Sequence, residues 1–148
     1  MAPPRGAFFF LHSKHIMAIK LNLEPTENLT YKRTVAIPTP DGKPLKIEFT
    51  FKHRTREQLA ELFDAYLAKA KIAADEEAEG ERGSILEATK AAIARDVDAV
   101  LDVASDWNVD QYAFNAENLS RFLSIYPGAA VAIATDYRVS LTEGRLGN

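Results

Sequence analysis

The stretch Leu45-Lys46-Ile47-Glu48-Phe49-Thr50-Phe51-Lys52-His53-Arg54-Thr55-Arg56-Glu57-Gln58 changes its period midway, and that change decides the fold. Over its first eight residues Leu45, Ile47, Phe49 and Phe51 point one way, and Lys46, Glu48, Thr50 and Lys52 the other. Period two marks a strand with one buried and one wet face. Thr55-Arg56-Glu57-Gln58 then reads as a capping box, in which Thr55 caps a helix and Gln58 reaches back. Leu59, Leu62, Phe63, Tyr66, Leu67 and Ala70 follow at helical spacing, the stripe of an amphipathic helix.

Working towards the N-terminus, a second alternating run covers residues 31–37, with Tyr31, Arg33, Val35 and Ile37 on one face. Arg33 is a polar blemish there and suits an edge strand. Pro38-Thr39-Pro40-Asp41-Gly42-Lys43-Pro44 lies between the two runs. Its Asp-Gly pair supplies a turn and its prolines stop the strands, which predicts an antiparallel hairpin. Ile19, Leu21 and Leu23 also alternate, so a third short strand is expected before Pro25. Two or three strands alone are marginal in water and need covering. Residues 1–16 differ in character, with Pro3-Pro4, the apolar run Ala7-Phe8-Phe9-Phe10-Leu11, and then His12, Lys14 and His15. The apolar run is too short for a signal peptide. The segment is expected to be a non-native leader ahead of Met17, or else a flexible arm that docks through Phe8–Phe10.

Towards the C-terminus the pattern is helical. Residues 73–83 hold Asp75, Glu76, Glu77, Glu79 and Glu81 with Gly80 and Gly83 and no large apolar side chain, and are expected to form a mobile acidic connector. Ser84-Ile85-Leu86-Glu87 is a second capping box. Ile93, Val97, Val100, Leu101, Ala104 and Trp107 predict a helix to about Asp106, with a break near Asp96. Asn115 caps the next helix, whose stripe is Leu119, Phe122, Leu123 and Tyr126; Pro127-Gly128 ends it. Ile133, Tyr137 and Leu141 carry a last helix to Gly144. The expected fold class is α+β: an N-terminal antiparallel β-hairpin or small sheet, then three to four short amphipathic α-helices, as a single domain over residues 17–148.

The chemistry the sequence offers is thin. A net charge of -3 argues against a dedicated nucleic-acid binder. The absence of cysteine removes disulfides, thiolate zinc sites and thiol catalysis. No apolar run approaches the ~20 residues of a membrane helix. His12 and His15 have ligand-like spacing but no supporting carboxylate or cysteine. His53 lies in the basic run Lys52-His53-Arg54-Thr55-Arg56, either a polar strand-to-helix corner or a contact for an acidic partner. Asp98, Asp102 and Asp106 recur every four residues, an acidic row that is either a solvent face or a site for a cation or basic partner. The serines sit in no nucleophile motif, and there is no glycine-rich phosphate loop. No catalytic, cofactor or metal site is expected. What stands out is a surplus of apolar faces over the layers available to cover them, which points to binding or self-association.

Several segments in order carry a family resemblance: Met17-Ala18-Ile19-Lys20-Leu21, Val35-Ala36-Ile37-Pro38, Gly42-Lys43-Pro44, Glu48-Phe49-Thr50-Phe51-Lys52-His53-Arg54-Thr55-Arg56, Val100-Leu101-Asp102-Val103-Ala104-Ser105-Asp106-Trp107, Phe114-Asn115-Ala116-Glu117-Asn118-Leu119 and Tyr126-Pro127-Gly128-Ala129-Ala130. The chain from Met17 onward resembles the small tail assembly chaperones of tailed bacteriophages and prophages. That resemblance implies a non-enzymatic protein of the host cytoplasm that coats the tape-measure protein, helps recruit tail-tube subunits, and is absent from the mature virion. From the net charge and the lack of a long apolar run, no nucleic-acid or membrane partner is expected. The expected client surface is the stripe of Leu119, Phe122, Leu123 and Tyr126 with Ile133 and Tyr137; the competing reading makes that stripe the monomer's core. A self-assembling minor tail protein, including a homo-oligomer built through sheet edges, is the alternative function, and an enzyme with a dispersed site is a more distant one.

Overall fold

The computed structural model describes residues 17–24, 29–80 and 83–143. Strands β1 (Thr30–Ile37) and β2 (Leu45–Lys52) pair antiparallel in full register, Thr30 opposite Lys52 and Ile37 opposite Leu45. The turn between them closes with Gly42 N–H donating to the Thr39 carbonyl at 3.2 Å. Gly42 sits at φ 79°, a conformation that costs an L-residue with a Cβ. The Asp41 carboxylate accepts from Lys43 N–H at 2.9 Å and from the Thr39 hydroxyl, and these bonds hold its carboxyl below the usual range.

Helix α1 (Arg56–Glu79) opens with the capping box read from the sequence: Thr55 Oγ1 accepts from Gln58 N–H at 3.2 Å, and Gln58 Oε1 accepts from Thr55 N–H at 2.9 Å. It runs through residues 73–79, so most of the segment expected as a connector is helix. Alanine and glutamate are good helix formers, and no breaker occurs before Gly80. Helix α2 (Ile85–Val103) is capped by Ser84 and is continuous through Asp96. The expected break is absent because residues 94–98 contain neither glycine nor proline.

Two further corrections concern the sheet. Residues 17–24 form no strand, and Ile19, Leu21 and Leu23 lie exposed. The third strand comes from beyond α2: the helix stops at Val103 and residues Ala104–Trp107 form β3, antiparallel to β2, with Phe49 opposite Trp107 and Phe51 opposite Ala104. A bulge at this pairing gives β3 one more residue than its partner. Asn108 extends the ladder, its N–H donating to Glu48 O at 3.0 Å while its Oδ1 accepts from Glu48 N–H at 2.9 Å. Tertiary pairing with β2 overrides helical spacing here, because Trp107 gains the Phe49 ring at 6.3 Å and donates Nε1–H to Tyr112 O at 2.9 Å. Helices α3 (Ala116–Ile125) and α4 (Ala129–Glu143) complete the chain.

The sheet order is β1-β2-β3. Its inner face, Val35, Ile37, Ile47, Phe49 and Phe51, packs against Val97, Val100 and Val103 of α2, Leu119 and Leu123 of α3, and Ala129, Ile133 and Tyr137 of α4 in one hydrophobic cluster. The strand and helix composition is that of an α+β fold, with the third strand inserted among the helices. Lys52 Nζ donates to Leu101 O at 3.0 Å, placing a cation at the carbonyl end of α2. Arg33 is explained by α4, since its Nη2 lies 3.0 Å and its Nε 3.3 Å from Asp136 Oδ1 on the inner side of the edge strand. Residues 1–16 lie outside the described residues, and so do His12, His15 and the Phe8–Phe10 arm.

Candidate partner-binding surface

The stripe expected to meet a partner divides on folding. Leu119, Leu123, Ile133 and Tyr137 are buried, at 0, 5, 1 and 2% exposure. They are core in this conformation and lend a partner no free surface. Helical spacing put all six residues on apolar stripes and left client surface and core as competing readings, because spacing cannot say which face meets the sheet. Phe122 and Tyr126 remain half-buried. Phe122 meets the Trp107 ring edge-on at 5.6 Å and Tyr126 at 5.3 Å.

These two aromatics line a cleft of about 550 Å³ between β3 and α3, together with Leu45, Trp107, Tyr112 and Ile125. Ile125 is 66% exposed at its lip, and the Arg121 guanidinium lies 5.7 Å from the Tyr112 ring centre. It is an aromatic hollow with a cationic rim.

A second cleft of about 250 Å³ was not legible as such in the sequence. It opens between α1, α2 and α4, with Val100, Val103 and Ile133 in its floor and Phe63 and Val131 on its walls. Helix α1 reaches this cleft as an outlier, since none of its residues is buried. Leu59 and Leu62 pack against the core cluster, and Tyr66 OH donates to Asp102 Oδ2 at 3.1 Å. Burial, followed by the charge and hydrogen bond of Asp102, pushes the Tyr66 phenol well above its ordinary value. Beyond Tyr66 the helix leaves the body, and Leu67 is 69% exposed. Asp96 of α2 borders the cleft, and burial raises its carboxyl pKa while adjacent Arg95 opposes that.

A more polar hollow of about 680 Å³ holds the basic corner with Lys52, His53, Arg54 and Glu61. Two of its cations already have structural partners: Lys52 holds the end of α2, and Arg54 Nη1 donates to Tyr137 OH at 2.9 Å. The Tyr137 hydroxyl in turn donates to Lys52 O at 2.7 Å, so the corner ties α4 to the end of β2. This favours the structural reading of the corner. The row of Asp98, Asp102 and Asp106 does not form either, because α2 ends at Val103, Asp102 is bonded to Tyr66, and Asp106 accepts from Trp107 N–H in β3. Among the described residues no group of three or more potential metal ligands comes together. No helix among them is long and apolar enough to cross a membrane.

Among the described residues the folded surface offers two apolar clefts and a helix whose last turns leave the body. No curated protein and no solved structure matches this chain. A family model described as phage tail assembly chaperone matches residues 17–148, which takes in every described element. The chain belongs to the phage tail assembly chaperone family.

Proposed function

We propose that this chain binds the tape-measure protein during tail morphogenesis and keeps it soluble without catalysing a reaction. It acts in the cytoplasm of the bacterial host, assists the arrival of tail-tube subunits, and is absent from the finished virion. The observation that carries this reading is the exposed apolar surface of a 24-residue helix that buries none of its side chains, with Phe63 at 41% and Leu67 at 69% exposure beside an open apolar cleft. A helix that packs on the body only through Leu59, Leu62 and Tyr66 and leaves other apolar side chains bare is costly for a monomer and useful for covering another helix. Individually modest contacts repeated along a long helical client would bind by avidity and still release. Co-expression with the tape-measure protein from the same tail gene cluster tests it. The client should stay in the soluble fraction with the chaperone and sediment without it, and purified virions should lack the chaperone. A client equally soluble in both cases would overturn the proposal.

A specific feature supports a second reading, the self-assembling minor tail protein. Ile19, Leu21 and Leu23 alternate in sequence at 90, 76 and 81% exposure, and β1 and β3 are edge strands. Strand pairing between copies would join the two. Sedimentation velocity that shows a concentration-dependent oligomer, together with retention in virions, would select this reading.

A further inference from the structure

The cleft between α1, α2 and α4 has apolar walls and one carboxylate at its border, Asp96. Asp96 is half-buried, and the ion pairs Arg33–Asp136 and Lys90–Glu87 do not involve it. Farther along α1, Asp75, Glu76, Glu77 and Glu79 crowd its final turns, while Lys69 and Lys71 lie between them and the cleft residues Phe63 and Tyr66. We propose that this cleft takes an amphipathic helix of another protein whose apolar face is edged by lysine or arginine, one of those cations seating on Asp96. The inference rests on the client-binding reading above and names the chemistry of the client helix. An apolar stripe would fill the wedge against Phe63 and Val131, and the cation would add to the partial countercharge that adjacent Arg95 gives Asp96. Desolvation disfavours the Asp96 carboxylate in the free protein, so a cationic partner would relieve a strain that a neutral helix would deepen.

The test uses labelled peptides of about 20 residues, one built of leucine and lysine as an amphipathic helix and one with glutamate for every lysine. Fluorescence anisotropy with the full chain at physiological salt should show the lysine peptide binding at least about tenfold more tightly. Asp96→Asn should weaken it about fivefold, the effect of one partly screened ion pair. Glu117→Gln, the same charge change on the first turn of α3, should stay within about twofold and controls for net charge. Val131→Asp places a charge on a wall residue that is 70% exposed, so the fold should survive while binding is lost. Equal weakening by Asp96→Asn and Glu117→Gln, or unimpaired binding by Val131→Asp, would overturn the assignment. If co-expression shows the tape-measure protein kept soluble by wild type, Asp96→Asn and Val131→Asp alike, the cleft assignment fails while the chaperone reading stands. If wild type leaves that client insoluble yet seats the lysine peptide at Asp96, the client reading fails and the cleft assignment stands.

Discussion

Gly42 and Arg33 show how single residues set the hairpin and anchor it. At Gly42 an added Cβ would meet nothing within 4 Å, so an alanine there pays only for its backbone at φ 79°. Gly42→Ala should lower unfolding free energy by about 1 kcal/mol, and Gly42→Asn by less, because asparagine tolerates the left-handed region. Urea titration of the three proteins checks the order. Arg33 was a blemish in the alternation because strand periodicity assigns a face and cannot supply the partner that makes a charge tolerable there. Asp136 does so from more than a hundred residues away, with the two side chains 16% and 29% exposed. Asp136→Ala removes a charge-assisted contact from a part-buried guanidinium and should cost about 2 kcal/mol. Replacing both, Arg33→Met with Asp136→Leu, should recover most of that loss. A double-mutant cycle in urea measures the coupling, and a simple sum of two single losses would show that the pair does not interact.

At the scale of elements, the two strands of the hairpin and the starts of α1, α2 and α3 were legible because their signals are local. Alternation, an Asp-Gly turn and capping side chains at Thr55, Ser84 and Asn115 all act within a few residues. The third strand was not legible. Val100, Val103, Ala104 and Trp107 keep helical spacing across the point where the helix ends, and only β2, more than fifty residues upstream, converts the last four residues to strand. The segment before Pro25 failed in the opposite sense: its alternation is clean, but no neighbour pairs with it in the described structure. The acidic end of α1 was misread because composition suggested a solvated connector, whereas alanine and glutamate sustain a helix once Thr55 has nucleated it. That end opposes the helix dipole, since four acids lie where cations are favoured. Glu76→Lys with Glu77→Lys should therefore stabilise the last turns by about 1 kcal/mol. Slower amide hydrogen exchange over residues 70–79, with unchanged exchange in the sheet, is the expected result.

Across the whole molecule, hydroxyls of three tyrosines tie elements together, two joining α4 to the sheet and one joining α1 to α2, and they give the fold a direction of failure with pH. Tyr31 OH lies 2.6 Å from Ser140 Oγ, and because Ser140 donates to Tyr137 O, Tyr31 is the donor in that contact. Tyr66 donates to Asp102, and Tyr137 donates to Lys52 O. Burial is the first cause raising all three phenols above 10.0; at Tyr31 the Ser140 bond and at Tyr137 the Arg54 bond oppose it, while Asp102 adds to it at Tyr66. With the folded value above the unfolded one, the stabilisation is fully present below about pH 10, where both states keep the proton. It is lost as pH rises further, because the unfolded chain ionises first and is favoured. Each tyrosine contributes at most about 1.4 kcal/mol per pH unit, a ceiling lowered by solvent screening at the part-exposed Tyr31 and Tyr66. Urea midpoints should thus be flat with respect to these groups from about pH 8 to 9.5 and fall above about pH 10. Tyr137→Phe separates this from general alkaline damage. It should cost about 1 kcal/mol at neutral pH, because the Lys52 carbonyl and the Arg54 guanidinium lose their partner, and its alkaline decline should be shallower than that of the wild type. Parallel declines would mean that the hydroxyl at the junction of α4 and β2 is not what titrates, and that alkaline unfolding begins elsewhere in the fold.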